Sequence, residues 1–318
     1  YNNLVQDILK QRSNSKQNKR TILSGGLANY AKYGAHSLFT DIISEKELRK
    51  INPQELVDIV KIFNSYQHGF FYYGPTEKAQ ISTLLKQLKT PENLKEVPQR
   101  VEYAELPMDK PMVYFANYDM VQAEIMLIAK DKVFDPALMP LQTMFNAYYG
   151  GGMNSIIFQE IREARGLAYS AYAYTSNATR AGLSNYVNAY IGTQADKMTA
   201  AMDVLYQLLR EMPMSENAFQ KSKEFVINNL RTSRTTKSDI FWTYMWCKDH
   251  HIDYDYNETV YKVIDRMTLA DVQNYFNQHI KPAQFTVLIV GSKDRIDFKY
   301  LKKIAKIKEI PLKKLFGY

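Results

Sequence analysis

The sequence has a single cysteine, Cys247, in 318 residues, so neither a disulfide framework nor a cysteine-based metal knuckle is open to it. No apolar run is long enough to span a bilayer. Nothing near Tyr1 has the make-up of a signal peptide. The one glycine cluster, Gly150-Gly151-Gly152, is not followed by Gly-Lys-Ser/Thr, which excludes a phosphate loop. There are five histidines: His36, His68, His250, His251 and His279. None is followed by Glu at the third position and His at the fourth, and none belongs to His-Glu-x-x-His. Both helical zinc-binding spacings are therefore missing from these residues. Long Lys/Arg runs are missing too. The formal charge of +8 comes from 41 Lys and Arg against 33 Asp and Glu, mostly interspersed. The denser stretches, 11–20 and 302–314, read as a solvated face and a basic tail, and no nucleic-acid partner is expected.

What is present is ordinary globular material. Hydrophobic residues make up 46% and charged residues 23%, enough to build one large domain or two medium ones. An order of elements also recurs. Asn52 and Pro53 suit an N-cap and first helical position, Ile59, Val60, Ile62 and Phe63 continue an apolar face, and Phe70–Tyr73 reads as a strand stopped by Gly74-Pro75. The same order returns 216 residues later: Thr268 as N-cap, Asp271 as its box partner, Tyr275 and Phe276 on the face, and a strand 285–290 stopped by Gly291. The repeat predicts that residues 1–75 are the C-terminal half of a domain whose front lies upstream. Residues 76–100 are expected to form a helical linker, with Ile81, Leu84, Leu85 and Leu88 at helical spacing before Thr90-Pro91-Glu92 and Pro98 break it. Residues 101–318 are expected to be a complete domain of the same kind with a basic tail.

Within that second unit, strands are expected at 101–106, 112–118 and 122–129, the last around Ile125, Met126, Leu127 and Ile128. Helices are expected at 138–149 and after Asn154, alternating strands at 167–175 and 183–191, and helices at 195–209, 215–230, 239–248 and 268–278. A closing strand at 285–290 completes an α+β fold: a largely antiparallel sheet with helices packed on one face.

The segment Gly150-Gly151-Gly152-Met153-Asn154-Ser155-Ile156-Ile157-Phe158-Gln159-Glu160-Ile161-Arg162-Glu163-Ala164-Arg165-Gly166-Leu167-Ala168-Tyr169 resembles a signature of the pitrilysin/insulinase family of zinc peptidases, which includes the processing peptidases. The likeness extends over the second unit and the tail of the first. It implies a pair or quartet of processing-peptidase-like α+β domains enclosing a chamber, with zinc held on an inverted His-x-x-Glu-His helix of another domain. By that resemblance the chain is the C-terminal, substrate-binding half of a zinc metalloendopeptidase. Zinc belongs to the parent protein and no metal ligands are expected here. The partners implied are a peptide substrate and the zinc-bearing N-terminal half or a partner subunit. A non-catalytic or structural subunit is the competing reading.

The resemblance also implies that Arg162 and Tyr169 are the pair that reaches across the chamber toward the bond being cut. A guanidinium and a phenol are both donors, as an oxyanion requires. The plainer alternative is a surface arginine and a core tyrosine. Gly150, Gly151 and Gly152 either let backbone approach a bound peptide or form a loose turn. The alternating segment 183–193 is a candidate edge for strand addition, against an ordinary structural strand. Asp249-His250-His251 with Asp253 and Asp255 looks like a metal cluster and is expected to be a solvated acidic loop.

Overall fold

The computed structural model describes residues 1–87 and 93–318. The expected break at Thr90-Pro91-Glu92, and Leu88 before it, lie outside the described residues. Six strands form one sheet: β1 (Met112–Asn117), β2 (Gln122–Val133), β3 (Ser170–Ser176), β4 (Ser184–Gln194), β5 (Thr286–Gly291) and β6 (Lys306–Glu309). Their order is β3-β4-β2-β5-β1-β6. The pairings β3–β4, β4–β2 and β2–β5 are antiparallel, and β5–β1 and β1–β6 are parallel. The α+β class and a sheet that is antiparallel over most of its width follow.

Side-chain alternation decides what each face covers. Ala123, Ile125 and Leu127 of β2, Val187, Ala189 and Ile191 of β4, and Val287 and Ile289 of β5 point to one side. There they meet the apolar stripes of Met139–Phe145, Met198–Arg210, Glu216–Thr232, Tyr256–Arg266 and Leu269–Tyr275. The intervening residues Met126, Ile128, Tyr190, Leu288 and Val290 point to the other side. That face is also partly covered: Ile22, Leu23, Leu27 and Ala28 pack on it with Leu315 and Phe316. They come from a helical run whose first part, Thr21–Leu27, is a π-helix and whose second is the α-helix Ala28–Tyr33. The start of the chain thus forms a second layer over the sheet of residues 112–309.

Local chemistry accounts for most element starts. Thr268 and Asp271 form a reciprocal capping box, and Asn52 accepts from the Gln54 N–H ahead of Pro53–Lys61. A helix also forms at Lys78–Gln87. Three expectations need correction. Phe70–Tyr73 is exposed coil, because no strand lies beside it to satisfy its backbone. Residues 101–106 form no strand and do not join the sheet. Ser155, not Asn154, is the N-cap of Ile156–Phe158. Among the elements not foreseen are the helix Tyr256–Arg266, capped by Asp255, and the edge strand β6; the helices Asn2–Lys16, Glu45–Leu48, Phe298–Ile304 and Leu312–Phe316 are others.

Candidate functional site

The turn that carries Arg162 and Tyr169 is built tightly. The helix Ile156–Phe158 continues as a π-helical turn, Gln159–Glu163. Gly166 then takes a left-handed conformation, φ 58°, which only glycine adopts without penalty. Its N–H donates to the Arg162 carbonyl at 3.0 Å, and the Leu167 N–H to that of Ile161 at 3.1 Å. The Thr193 hydroxyl donates to the Leu167 carbonyl at 2.6 Å, and the Tyr169 N–H to the Gly192 carbonyl at 3.0 Å. The chain therefore enters β3 with Tyr169 beside the end of β4.

The Tyr169 ring is 41% exposed, yet its hydroxyl is held. It donates to Glu124 Oε1 at 2.7 Å. Glu124 lies on β2 and is only 1% exposed. Its other carboxylate oxygen accepts from the Tyr190 hydroxyl, and Lys19 pairs with it while also donating to Gln122 Oε1 at 2.6 Å. A carboxylate this deeply buried is tolerable only with such compensation. Burial, followed by the hydrogen bond to Glu124, pushes the Tyr169 and Tyr190 phenols well above the usual tyrosine range. Both remain protonated donors across the physiological range.

Arg162 lies apart from this network. Its side chain is 46% exposed, with Nε 3.7 Å from Glu163 Oε1 and the guanidinium 4.8 Å from the Phe158 ring centroid. Among the described residues no hydrogen bond or ion pair joins Arg162 to Tyr169. The two flank one turn: one side chain is anchored and the other is loosely held at the surface, where an ion pair contributes little.

The glycine cluster closes a sheet edge. A Cβ on Gly150 would lie 1.4 Å from the Ala173 carbonyl oxygen of β3. Beside it, Asn146 mimics a missing strand: its Oδ1 accepts from the Thr175 N–H at 2.8 Å, and its Nδ2 donates to the Thr175 carbonyl at 2.9 Å. Gly151 and Gly152 continue as an exposed turn. The edge expected at 183–193 is not one. β4 is interior, paired to both β2 and β3; β3 is the edge strand on this side, and Asn146 and Gly150 cover it at Thr175 and Ala173.

The Asp/His-rich stretch is used structurally. His250 is buried, with its ring nitrogens 2.7 Å from the Trp246 carbonyl and 3.0 Å from the Ala178 carbonyl, and it stacks on Trp246 at 4.0 Å. Asp255 accepts from the N–H groups of Asn257 and Glu258. Among the described residues no three His, Cys, Asp or Glu side chains converge as metal ligands, so the groups present do not fit a zinc site. Sequence reasoning missed Glu124, Tyr190 and Lys19. The signal for Glu124 was available: a lone carboxylate in the apolar run Ala123–Ala129 needs partners.

A family model described as the peptidase M16 inactive domain matches residues 50–225, more than half of the chain. A non-peptidase homolog, YmxG of Helicobacter pylori, is 24% identical over 151 residues, covering 46% of this chain and 34% of that protein. An uncharacterized zinc protease of Bacillus subtilis, also called YmxG, is 25% identical over 224 residues, 65% of this chain and 50% of that one. The chain thus spans half or less of the length of these relatives. A solved peptidase M16 inactive domain from Pseudomonas fluorescens shares the fold, with a TM-score of 0.66 and 18% identity over 93% of this chain and 70% of that one.

Proposed function

The chain belongs to the peptidase M16 inactive-domain family, and from that premise we propose that it is the C-terminal, substrate-binding half of a zinc metalloendopeptidase that degrades or processes peptides in an enclosed chamber. The observation that carries this reading is the turn 162–169, which presents two hydrogen-bond donors of different kinds from one point on the surface. Tyr169 is fixed by Glu124, so its ring position is set before any substrate arrives; its one hydroxyl proton lies on that hydrogen bond in the free chain and turns from Glu124 to the oxyanion when substrate is in place. Arg162 has a half-exposed stem and a fork of donors. Donors placed on a developing oxyanion stabilise it most when their positions are set in advance. The zinc belongs to the N-terminal half or to a partner subunit, and no step of the chemistry is assigned to ligands of this chain. Gly151 and Gly152 form a peptide-contact loop beside the turn, while Gly150 serves the sheet edge.

Residues 1–75 are read as the C-terminal half of a second, like domain, with 76–100 as linker and 101–318 as the complete domain. The helix Pro53–Lys61 supports this. Leu56, Val57, Ile59 and Val60 are all exposed, as are Phe70 and Phe71, a surface that a soluble monomer seldom leaves bare. The relative named a non-peptidase homolog sustains one alternative, a non-catalytic partner subunit. Metal analysis and a quenched-peptide assay separate the readings. The chain alone is expected to bind no stoichiometric zinc and to cleave nothing, and activity is expected when the zinc-bearing half is added. One zinc per chain with chelator-sensitive hydrolysis would sink the proposal. No stimulation of the zinc-bearing half would leave the structural subunit standing.

A further inference from the structure

Two cavities lie end to end between the helical run 20–33 and the β3–β4 hairpin. One, of about 170 Å³, is lined by Arg20, Ser24, Ser170, Tyr172 and Tyr190, with Leu23 and Met126 at its base. The other, of about 300 Å³, includes Ser24, Lys32, Arg100, Tyr103 and Arg180. Ser24 lines both, so they form one cleft. Arg20, Ser24, Ala28 and Lys32 recur every four residues along one wall. On the opposite wall Tyr172 stacks on Tyr190 with ring centroids 4.7 Å apart. Tyr190 shares Glu124 with Tyr169, so the cleft leads to the turn described above.

The charge of the cleft is one-sided. Arg20, Lys32, Arg100 and Arg180 line it against a single carboxylate, Glu102, which pairs with Arg180 at 2.9 Å. Among the described residues no carboxylate lies within ion-pair distance of Arg20, Lys32 or Arg100. Lys32 sits 4.1 Å from the centroid of the Tyr186 ring, and burial pulls its ammonium below the usual lysine range. The nearby Glu105 carboxylate offsets this only in part, and a partly desolvated cation with no ion-paired partner favours an anion beside it. Ser170 and Tyr172, alternate residues of β3, line one wall, the spacing an extended segment running alongside would meet. Strand addition to β3 is blocked where Asn146 occupies its edge, so a ligand here is read by side chains.

We infer that this cleft binds an extended peptide segment carrying acidic side chains, with Arg20 and Lys32 meeting the carboxylates and Tyr172 and Tyr190 packing the intervening residues. The inference rests on the peptide-binding reading above and names the substrate class of that site. The test uses the 318-residue chain and a fluorescein-labelled decapeptide of alternating Ser and Glu, read by anisotropy. Saturable binding is expected, at least tenfold weaker for the Ser/Gln counterpart. Ser24→Trp, at an exposed position shared by both cavities, fills the cleft without altering its charge and is expected to weaken binding at least tenfold. Lys32→Gln is expected to weaken it several-fold, with circular dichroism unchanged in both variants. A Ser24→Trp affinity within twofold of the unsubstituted chain overturns the inference, because the peptide then rides on the general positive charge. So does an absence of saturation at millimolar peptide, or tighter binding of a single-stranded oligonucleotide of equal charge. Zinc bound by the chain alone would defeat the proposed function and leave this pattern of affinities untouched, so the two failures are distinguishable.

Discussion

Glu124 is the residue on which the site's geometry turns. Two phenols and an ammonium converge on it inside the protein. Glu124→Gln keeps the shape but gives one of the phenols an amide N–H₂ where it had an acceptor. Loss of a buried hydrogen bond and exposure of an uncompensated donor costs about 1–3 kcal/mol, measurable as a lower urea midpoint with an unchanged slope. The titration carries a sign. The folded-state values of Tyr169 and Tyr190 are raised, so their contribution to stability is complete below the ordinary tyrosine value of about 10. It is lost as pH rises through the folded values. Absorbance at 295 nm is expected to show both ionising late, and Tyr169 ionising earlier in Glu124→Gln, since burial remains but the hydrogen-bonded carboxylate is gone. An unchanged urea midpoint and unchanged titration in the variant would remove Glu124 from its positioning role.

At the scale of elements, the cover over the β3 edge is the feature most sensitive to a single change. Gly150→Ala places a methyl group against a backbone carbonyl, 1.4 Å from the Ala173 oxygen, and backbone cannot rotate away as a side chain does. A destabilisation of about 3 kcal/mol is expected, at the upper end for overpacking, together with concentration-dependent association as the edge opens. A fully soluble Gly150→Ala protein with an unchanged melting temperature would show that the turn has room to give. Elements with strong local signals were legible from the sequence. β2, β4 and β5 were announced by apolar runs or alternation, and the helix at 269–275 by the Thr268–Asp271 box. The helix Tyr256–Arg266 was hidden because Asp253 and Asp255 read as loop, although Asp255 is its N-cap. β6 carries one inward apolar residue, Ile307, among Lys306, Lys308 and Glu309, a pattern lost in the basic tail. Phe70–Tyr73 had strand chemistry without a neighbour to pair with. A strand is a property of two segments, and sequence reports only one.

For the molecule as a whole, the α+β layering and the signature turn were readable, and the contacts that give the turn its meaning were not. Lys19 reaches Glu124 from more than a hundred residues away, and Tyr190 and Tyr169 meet it from different strands. No local pattern encodes such a convergence. Nor did any pattern show that residues 22–31 lie across the second face of the sheet, creating the cleft. The division of labour proposed here, donors on this chain and metal on the other half, is tested most directly by the kinetics of Tyr169→Phe in the complete zinc-bearing enzyme. The substitution removes one hydroxyl from a half-exposed ring and leaves the rest of the side chain in place. Losing one oxyanion donor lowers kcat by roughly 10²–10³. The expected result is a fall in kcat of that order, with full zinc content and a melting temperature within a few degrees of the unsubstituted enzyme. Unchanged kcat and kcat/KM would contradict the claim and make Tyr169 a structural partner of Glu124 alone.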